Sequence, residues 1–226
     1  MQILAMLTML IDHLGIVLFP DNPWFRSIGR LAMPLYAHAL ALGYGRTRSF
    51  RRYALRLAAI ALLSQLPYQY ALLAPDEPFE FNVVFTLLVS LAVMRLIDLA
   101  AAASVSGNAP SSRRIAASAG IAAGGCLLLE LLPFDYGAYL LLLVLIYRYA
   151  RGQTALALHF FLNAIFLLYK FPAFQMLSLI STLLVAFAPK ALEAADRRIR
   201  VPRPLWLSFY PAHLAALAAI RQFAIL

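Results

Sequence analysis

The stretch that decides the fold is residues 7–20, LTMLIDHLGIVLFP, which closes an apolar run that begins at Gln2. A helix that crosses a bilayer needs about 20 mostly apolar residues, with roughly 17–25 as the working range, and residues 2–19 fall inside it. The run has neither a basic leader nor a small-residue cleavage site, so it reads as a retained first span rather than a removed signal peptide. Pro20, Asp21, Asn22 and Pro23 then end it with turn chemistry.

The same pattern repeats along the chain. Apolar runs lie near 2–19, 25–45, 53–73, 82–103, 115–132, 136–150, 153–169, 172–188 and 204–223, separated by breakers such as Pro75 to Glu80, Ser104 to Ser112, Pro133 to Asp135, Pro172, Pro202 and Pro204. Composition agrees: 63% of the 226 residues are hydrophobic, 13% are charged, and the mean hydropathy is +0.80. An average soluble domain is about 45–50% apolar and 25% charged. These values argue against a soluble enzyme, a disordered chain and a disulfide-built secreted domain. The single cysteine, Cys126 in GGCLLLELL, reads as a small packing residue. The expected fold is all-α: one polytopic transmembrane helical bundle over residues 1–226, with about nine spans.

Nine spans make eight loops, and the basic residues divide between them. The even loops hold Arg46, Arg48, Arg51, Arg52, Arg113, Arg114, Arg148, Arg151, Lys190, Arg197, Arg198, Arg200 and Arg203, whereas the odd loops hold only Arg26 and Lys170. Excess Lys and Arg retain loops in the cytoplasm, which places the N-terminus inside and the C-terminus outside. Membrane topology thus accounts for the net charge of +9 without nucleic acid as a partner.

Strongly polar side chains in hydrocarbon cost at least a few kcal/mol and usually face a protein interior or a wet cavity. All four histidines, His13, His38, His159 and His213, fall inside proposed spans. Asp12 and His13 are adjacent and point about 100° apart, so Asp12 cannot hold His13 squarely, although both can face one cavity. They read either as a buried pair that joins helices or as a general base tuned by a carboxylate. Arg30 needs an anion or water, and Asp12 is its expected partner. Pro34 is expected to kink the second span. Gln65 and Gln69 flank Pro67, and Asn82, Thr86 and Ser90 form an i,i+4 stripe that reads as interhelical glue or as ligand contact. His159 and Asn163 share a face, as do Tyr210 and His213. Depth along the spans brings His13, Arg30, Gln65, Asn82, Thr86 and His213 together in the outer half of the membrane, and converging polar groups in an apolar body mark a site. Walker-type, H-E-x-x-H, C-x-x-C and G-x-S-x-G motifs are absent, and the spaced acids of a metal site are missing.

The segments LTMLIDHLG, IGRLAMPLYAHAL, LRLAAIALLSQLPY, FNVVFTLL and FYPAHL, in this order, resemble the TraX family, named for a conjugative protein associated with N-terminal acetylation of pilin. They also look akin to multi-pass acyltransferases that use cytosolic acyl-CoA. The resemblance runs from Met1 to about Leu88 and resumes at the last span, leaving Val89 to Arg203 without a motif. It implies a bacterial inner-membrane acyltransferase with acetyl-CoA as co-substrate and no metal. The acceptor it implies is an amine or hydroxyl at the periplasmic face, such as a pilin N-terminus or a surface glycan. His13 would be the base, tuned by Asp12, with His213 the competing base. Arg30, Gln65, Asn82, Thr86 and Tyr210 would bind substrate, and Arg46, Arg51 and Arg52 would hold the donor's phosphates. A donor tunnel, with Gly29, Ala32, Gly43 and Gly45 allowing close helix approach, would reconcile an inner donor with an outer site. The alternative is a small transporter or flippase whose polar cluster is a translocation site. A third reading is a scaffold subunit.

Overall fold

A computed structural model describes residues 1–74, 76–106, 110–198 and 201–224. Pro75, Gly107, Asn108 and Arg200, all assigned above to loops, lie outside the described residues. The architecture is all-helical: α1 (Gln2–Leu18), α2 (Pro23–Gly29), α3 (Ala32–Arg46), α4 (Phe50–Leu72), α5 (Val83–Ser106), α6 (Ser111–Leu131), α7 (Gly137–Tyr149), α8 (Gly152–Leu167), a 3-10 turn (Ala173–Leu177), α9 (Ser178–Phe187), α10 (Pro189–Arg198) and α11 (Arg203–Ala224). The apolar runs become these helices because Leu, Ala and Ile fill them, while Pro, Gly, Asn and Ser occupy the joints. Asn22 caps α2 by accepting from Trp24 N at 3.1 Å, ahead of Pro23 at the first helical position. Ser49 caps α4 through Arg52 N.

Two details differ from the expected spans. The second run is broken rather than kinked: α2 ends at Gly29 and α3 restarts at Ala32, so Pro34 falls in the first turn of α3, where its missing N–H is harmless. The basic stretch after residue 188, read as a loop, is helical over Pro189–Arg198. Two helical stretches, Val83–Ala103 and Ser111–Leu131, are long and apolar enough to cross a membrane, while four further apolar helices are shorter. Large apolar side chains point outward. Leu62, Leu63 and Leu66 of α4, Leu127 and Leu131 of α6, and Leu168 are 60–86% exposed, a surface that water does not tolerate over contiguous patches.

Helix α3 is central and packs against α1, α5, α7 and α9, while α11 closes the bundle against α4 and α1. Ala37, Leu40, Tyr139, Leu140 and Leu143 form the apolar middle between α3 and α7. The joints after α1, α4, α6 and α8 gather at one end, called here the Asp135 end. Those after α3, α7 and α9 gather at the other, the Arg46 end. At the Asp135 end an isolated bridge, Phe81 to Phe134, ties the start of α5 to the turn before α7. That bridge and the contact of α11 with α1 position the site.

Candidate active site

A cavity of about 560 Å³ opens at the Asp135 end, with Asp12, His13, Arg26, Arg30, Asp135 and Tyr210 among its walls. Asp12 rises from α1 at the point where α2 crosses it. The approach is close because Gly29 faces the carboxylate: a Cβ there would collide with the Asp12 side chain. Arg26 Nη1 reaches Asp12 Oδ2 at 3.2 Å, and Arg30 Nη2 stands 4.0 Å from Oδ1. The expected Asp12–Arg30 pair is therefore led by Arg26, which the loop arithmetic had treated only as an outer basic residue.

Arg30 is buried and held from several sides. Nη1 donates to Gln175 Oε1 at 3.2 Å and to Tyr136 Oη at 3.5 Å, Nε donates to the Arg26 carbonyl, and the guanidinium sits 5.3 Å over Phe174. Gln175 is fixed in turn by a fully buried cluster. Its Nε2 donates to Tyr139 Oη, which bonds Asn163 Oδ1 at 2.8 Å and His159 Nε2 at 3.0 Å, while Thr182 meets His159 Nδ1. The His159–Asn163 face is thus a structural support that ends on Arg30. Tyr136 adopts φ 62°, the left-handed region that non-glycine residues rarely occupy, at the cavity wall.

His13 and His213 are brought into contact by α1 and α11. His13 Nδ1 lies 2.7 Å from His213 Nε2, and the rings stack 5.0 Å apart. If both rings are neutral, hydrogen bonding assigns one consistent set of tautomers to the pair. His213 Nδ1 is 2.6 Å from the Phe209 carbonyl, which can only accept, so Nδ1 carries the proton and Nε2 accepts. His13 must then donate from Nδ1, which leaves His13 Nε2 with a free lone pair. His213 thus bonds His13 directly, while Asp12 is engaged by Arg26. Tyr210 lies edge-on to both rings and lines the cavity.

Gln65, Asn82 and Thr86 lie outside this cavity. Gln65 Oε1 accepts from Asn82 Nδ2 at 2.8 Å, Gln65 Nε2 donates to the Glu80 carbonyl, Asn82 Oδ1 accepts from Val84 N at the start of α5, and Thr86 Oγ1 donates to the Asp135 carbonyl at 2.7 Å. Their polar atoms join the α4–α5 corner to the Asp135 turn. Asp135 was read from the sequence only as part of a turn. Burial, reinforced by Glu80 and Asp12 and opposed by Arg30, pushes its carboxyl up to about 7. The folded chain therefore holds this proton more tightly than the unfolded chain, whose Asp titrates near 3.9. The stability it contributes is complete below about pH 4 and is lost as pH rises through 7. Asp135→Asn is expected to flatten the melting temperature between pH 5 and 8 and to raise it at pH 8. Parallel melting curves for variant and wild type would contradict this reading.

At the Arg46 end lie two further cavities of about 460 and 570 Å³ that share His38, Leu42 and Arg46. Arg51 and Arg52 are exposed and line neither, so of the three expected donor contacts only Arg46 faces a cavity. Among the described residues, no group of three or more His, Cys, Asp or Glu side chains is placed to hold a metal ion.

An all-helical bundle with an apolar exterior and a histidine-lined chamber defines the class. The model of the family described as TraX protein matches residues 1–221, and the chain belongs to that family. The match includes the middle of the chain, where no motif was legible. The chain is also similar to a probable fimbrial assembly protein, FimC of serogroup H1, from Dichelobacter nodosus, with 27% identity over 109 residues. That similarity covers 42% of this chain and 44% of the relative. No solved structure matches.

Proposed function

We propose that this protein is a multi-pass acyltransferase of the bacterial cytoplasmic membrane, which passes an acetyl group from cytoplasmic acetyl-CoA to an amine or hydroxyl acceptor outside. The outward-facing leucines and the alternation of basic loops support nine spans, with the Arg46 end in the cytoplasm and the Asp135 end outside. The acceptor class is a protein N-terminus or a surface glycan. The family and the fimbrial name of the D. nodosus relative favour the first.

The observation that carries the reading is a series of cavities from one end to the other. The 570 Å³ cavity at the Arg46 end shares Ala39, Tyr53, Arg56 and Trp206 with an apolar throat of about 150 Å³. The throat shares Met9, Met33, Val83 and Tyr210 with the His13 chamber. Between Met33 and Ala39, α3 advances six residues, about 9 Å. A narrow, mostly apolar passage, with Arg56 where it meets the basic mouth, suits a long neutral arm with a charged head.

In the chamber, His13 Nε2 takes the proton of the attacking amine or hydroxyl. Arg26 and Arg30 offer donors to the oxyanion. As the tetrahedral intermediate collapses, the C–S bond breaks and His13 returns the proton to the leaving thiolate, giving the amide or ester and the free thiol. Asp12 keeps both arginines in place.

Purified protein in proteoliposomes, given [¹⁴C]acetyl-CoA and a peptide bearing a free N-terminus or a surface glycan, should move label covalently onto the acceptor. Label accumulating inside vesicles without modification would support the transporter alternative and overturn the enzyme.

A further inference from the structure

Of the two cavities described at the Arg46 end, only the larger shares wall residues with the throat. The other, about 460 Å³, is a side basin walled by His38, Arg46, Tyr147, Arg148, Arg151 and Thr182. Three arginines converge on it, while Arg51 and Arg52, equally able to hold a loop in the cytoplasm, do not. Buried polar atoms nearly always find partners. Among the described residues, His38 Nδ1, Arg148 Nε and Gln69 Oε1 are buried with none, and the first two belong to this basin. Arg148 is held in advance: Nη2 bonds Asp98 Oδ2 at 2.9 Å, and the guanidinium lies over the rings of Tyr44 and Tyr149. Tyr147 and Thr182 are committed to each other. Arg46, Arg148 and Arg151 thus bring three cations to a basin whose lining carries no carboxylate, so the ligand it suits is an anion with several acceptor oxygens.

We infer that the basin is a phosphate site for the nucleotide end of the acyl donor and holds its ribose 3′-phosphate. The inference rests on the acyl-CoA donor proposed above. His38 and Arg46 form the ridge shared with the cavity that enters the throat, so a molecule whose neutral arm fills the throat must leave its charged head at this mouth. The pyrophosphate then lies at the ridge, and the phosphorylated ribose turns into the basin, against Arg151, Arg148 and His38.

The test compares affinities of the purified protein, in neutral detergent, for coenzyme A, 3′-dephospho-coenzyme A and adenosine 3′,5′-bisphosphate by calorimetry. Wild type should bind coenzyme A about tenfold or more tighter than the dephospho form, the effect of one charge-assisted contact. Arg151→Gln and His38→Gln should bring that ratio towards one, and the conservative Arg151→Lys should restore part of it. Arg113→Ala, on the exposed start of α6, should leave it unchanged. Equal binding of the two forms by wild type, or an undiminished ratio in both glutamine variants, overturns the basin assignment while leaving the donor reading intact. If dioleoylphosphatidylglycerol competes with wild type but not with Arg151→Gln, and the 3′-phosphate has no effect, the basin is a lipid-headgroup site instead. If the bisphosphate binds through Arg151 but no acetyl transfer occurs, the basin stands and the donor reading fails. If no nucleotide binds, both fail.

Discussion

His13→Ala is expected to lower acetyl transfer by about 10²–10⁴-fold, the usual contribution of a general base, while insertion and folding persist. The loss should fall on kcat, because the imidazole abstracts a proton and does not anchor either substrate. His213→Asn should also lower kcat, by more than about tenfold, because it breaks the bond that sets the His13 tautomer. The double variant should be little worse than His13→Ala, since the two rings act as one unit. Transfer within tenfold of wild type for His13→Ala would remove His13 as the base. Additive losses would mean that the two histidines work separately.

The second large effect is expected at the throat. Ala39 lines both the throat and the mouth at the Arg46 end. Ala39→Trp fills a passage of only about 150 Å³ and should reduce transfer from acetyl-CoA at least a hundredfold, as displacement of a reacting group by an ångström already can. A small activated ester such as p-nitrophenyl acetate, supplied from the Asp135 side, reaches His13 without using the throat, so its turnover should survive. Equal loss with both donors would show general damage to the fold, and retention of both would show that the donor takes another route.

Much of the architecture was legible because a bilayer-scale apolar run is a long signal and Pro, Gly and Asn punctuate it. The break at Arg30 was not, since nothing in SIGRLAMP separates a kink at Pro34 from a restart at Ala32; packing of α2 on α1 decides that. Helix α10 was missed because its basic sequence looks like a solvated loop. Within the site, Asp12, His13, Arg30, Tyr210 and His213 stood out as polar residues in apolar surroundings. Their partners did not. His13 and His213 meet across 200 residues, and the link depends on α11 packing against α1. Arg26 was hidden by its position in a short loop, and Asp135 by a turn that the Phe81–Phe134 bridge pulls inward. Asn82 and Thr86 carried the two readings of a polar stripe, and with Gln65 they bond across the α4–α5 corner and to the Asp135 turn. Asp98 was a signal available but unused, since a carboxylate inside the fourth run calls for a cation such as Arg148, which pairs with it at the Arg46 end.

The central claim is that donor and acceptor meet from opposite sides through one protein. It is tested most directly in oriented proteoliposomes, with acetyl-CoA confined to the side bearing the Arg46 end and a membrane-impermeant acceptor peptide confined to the other. Acetylated peptide on the far side, lost with Ala39→Trp, is the predicted result. Modification only when donor and acceptor share a side would contradict the account.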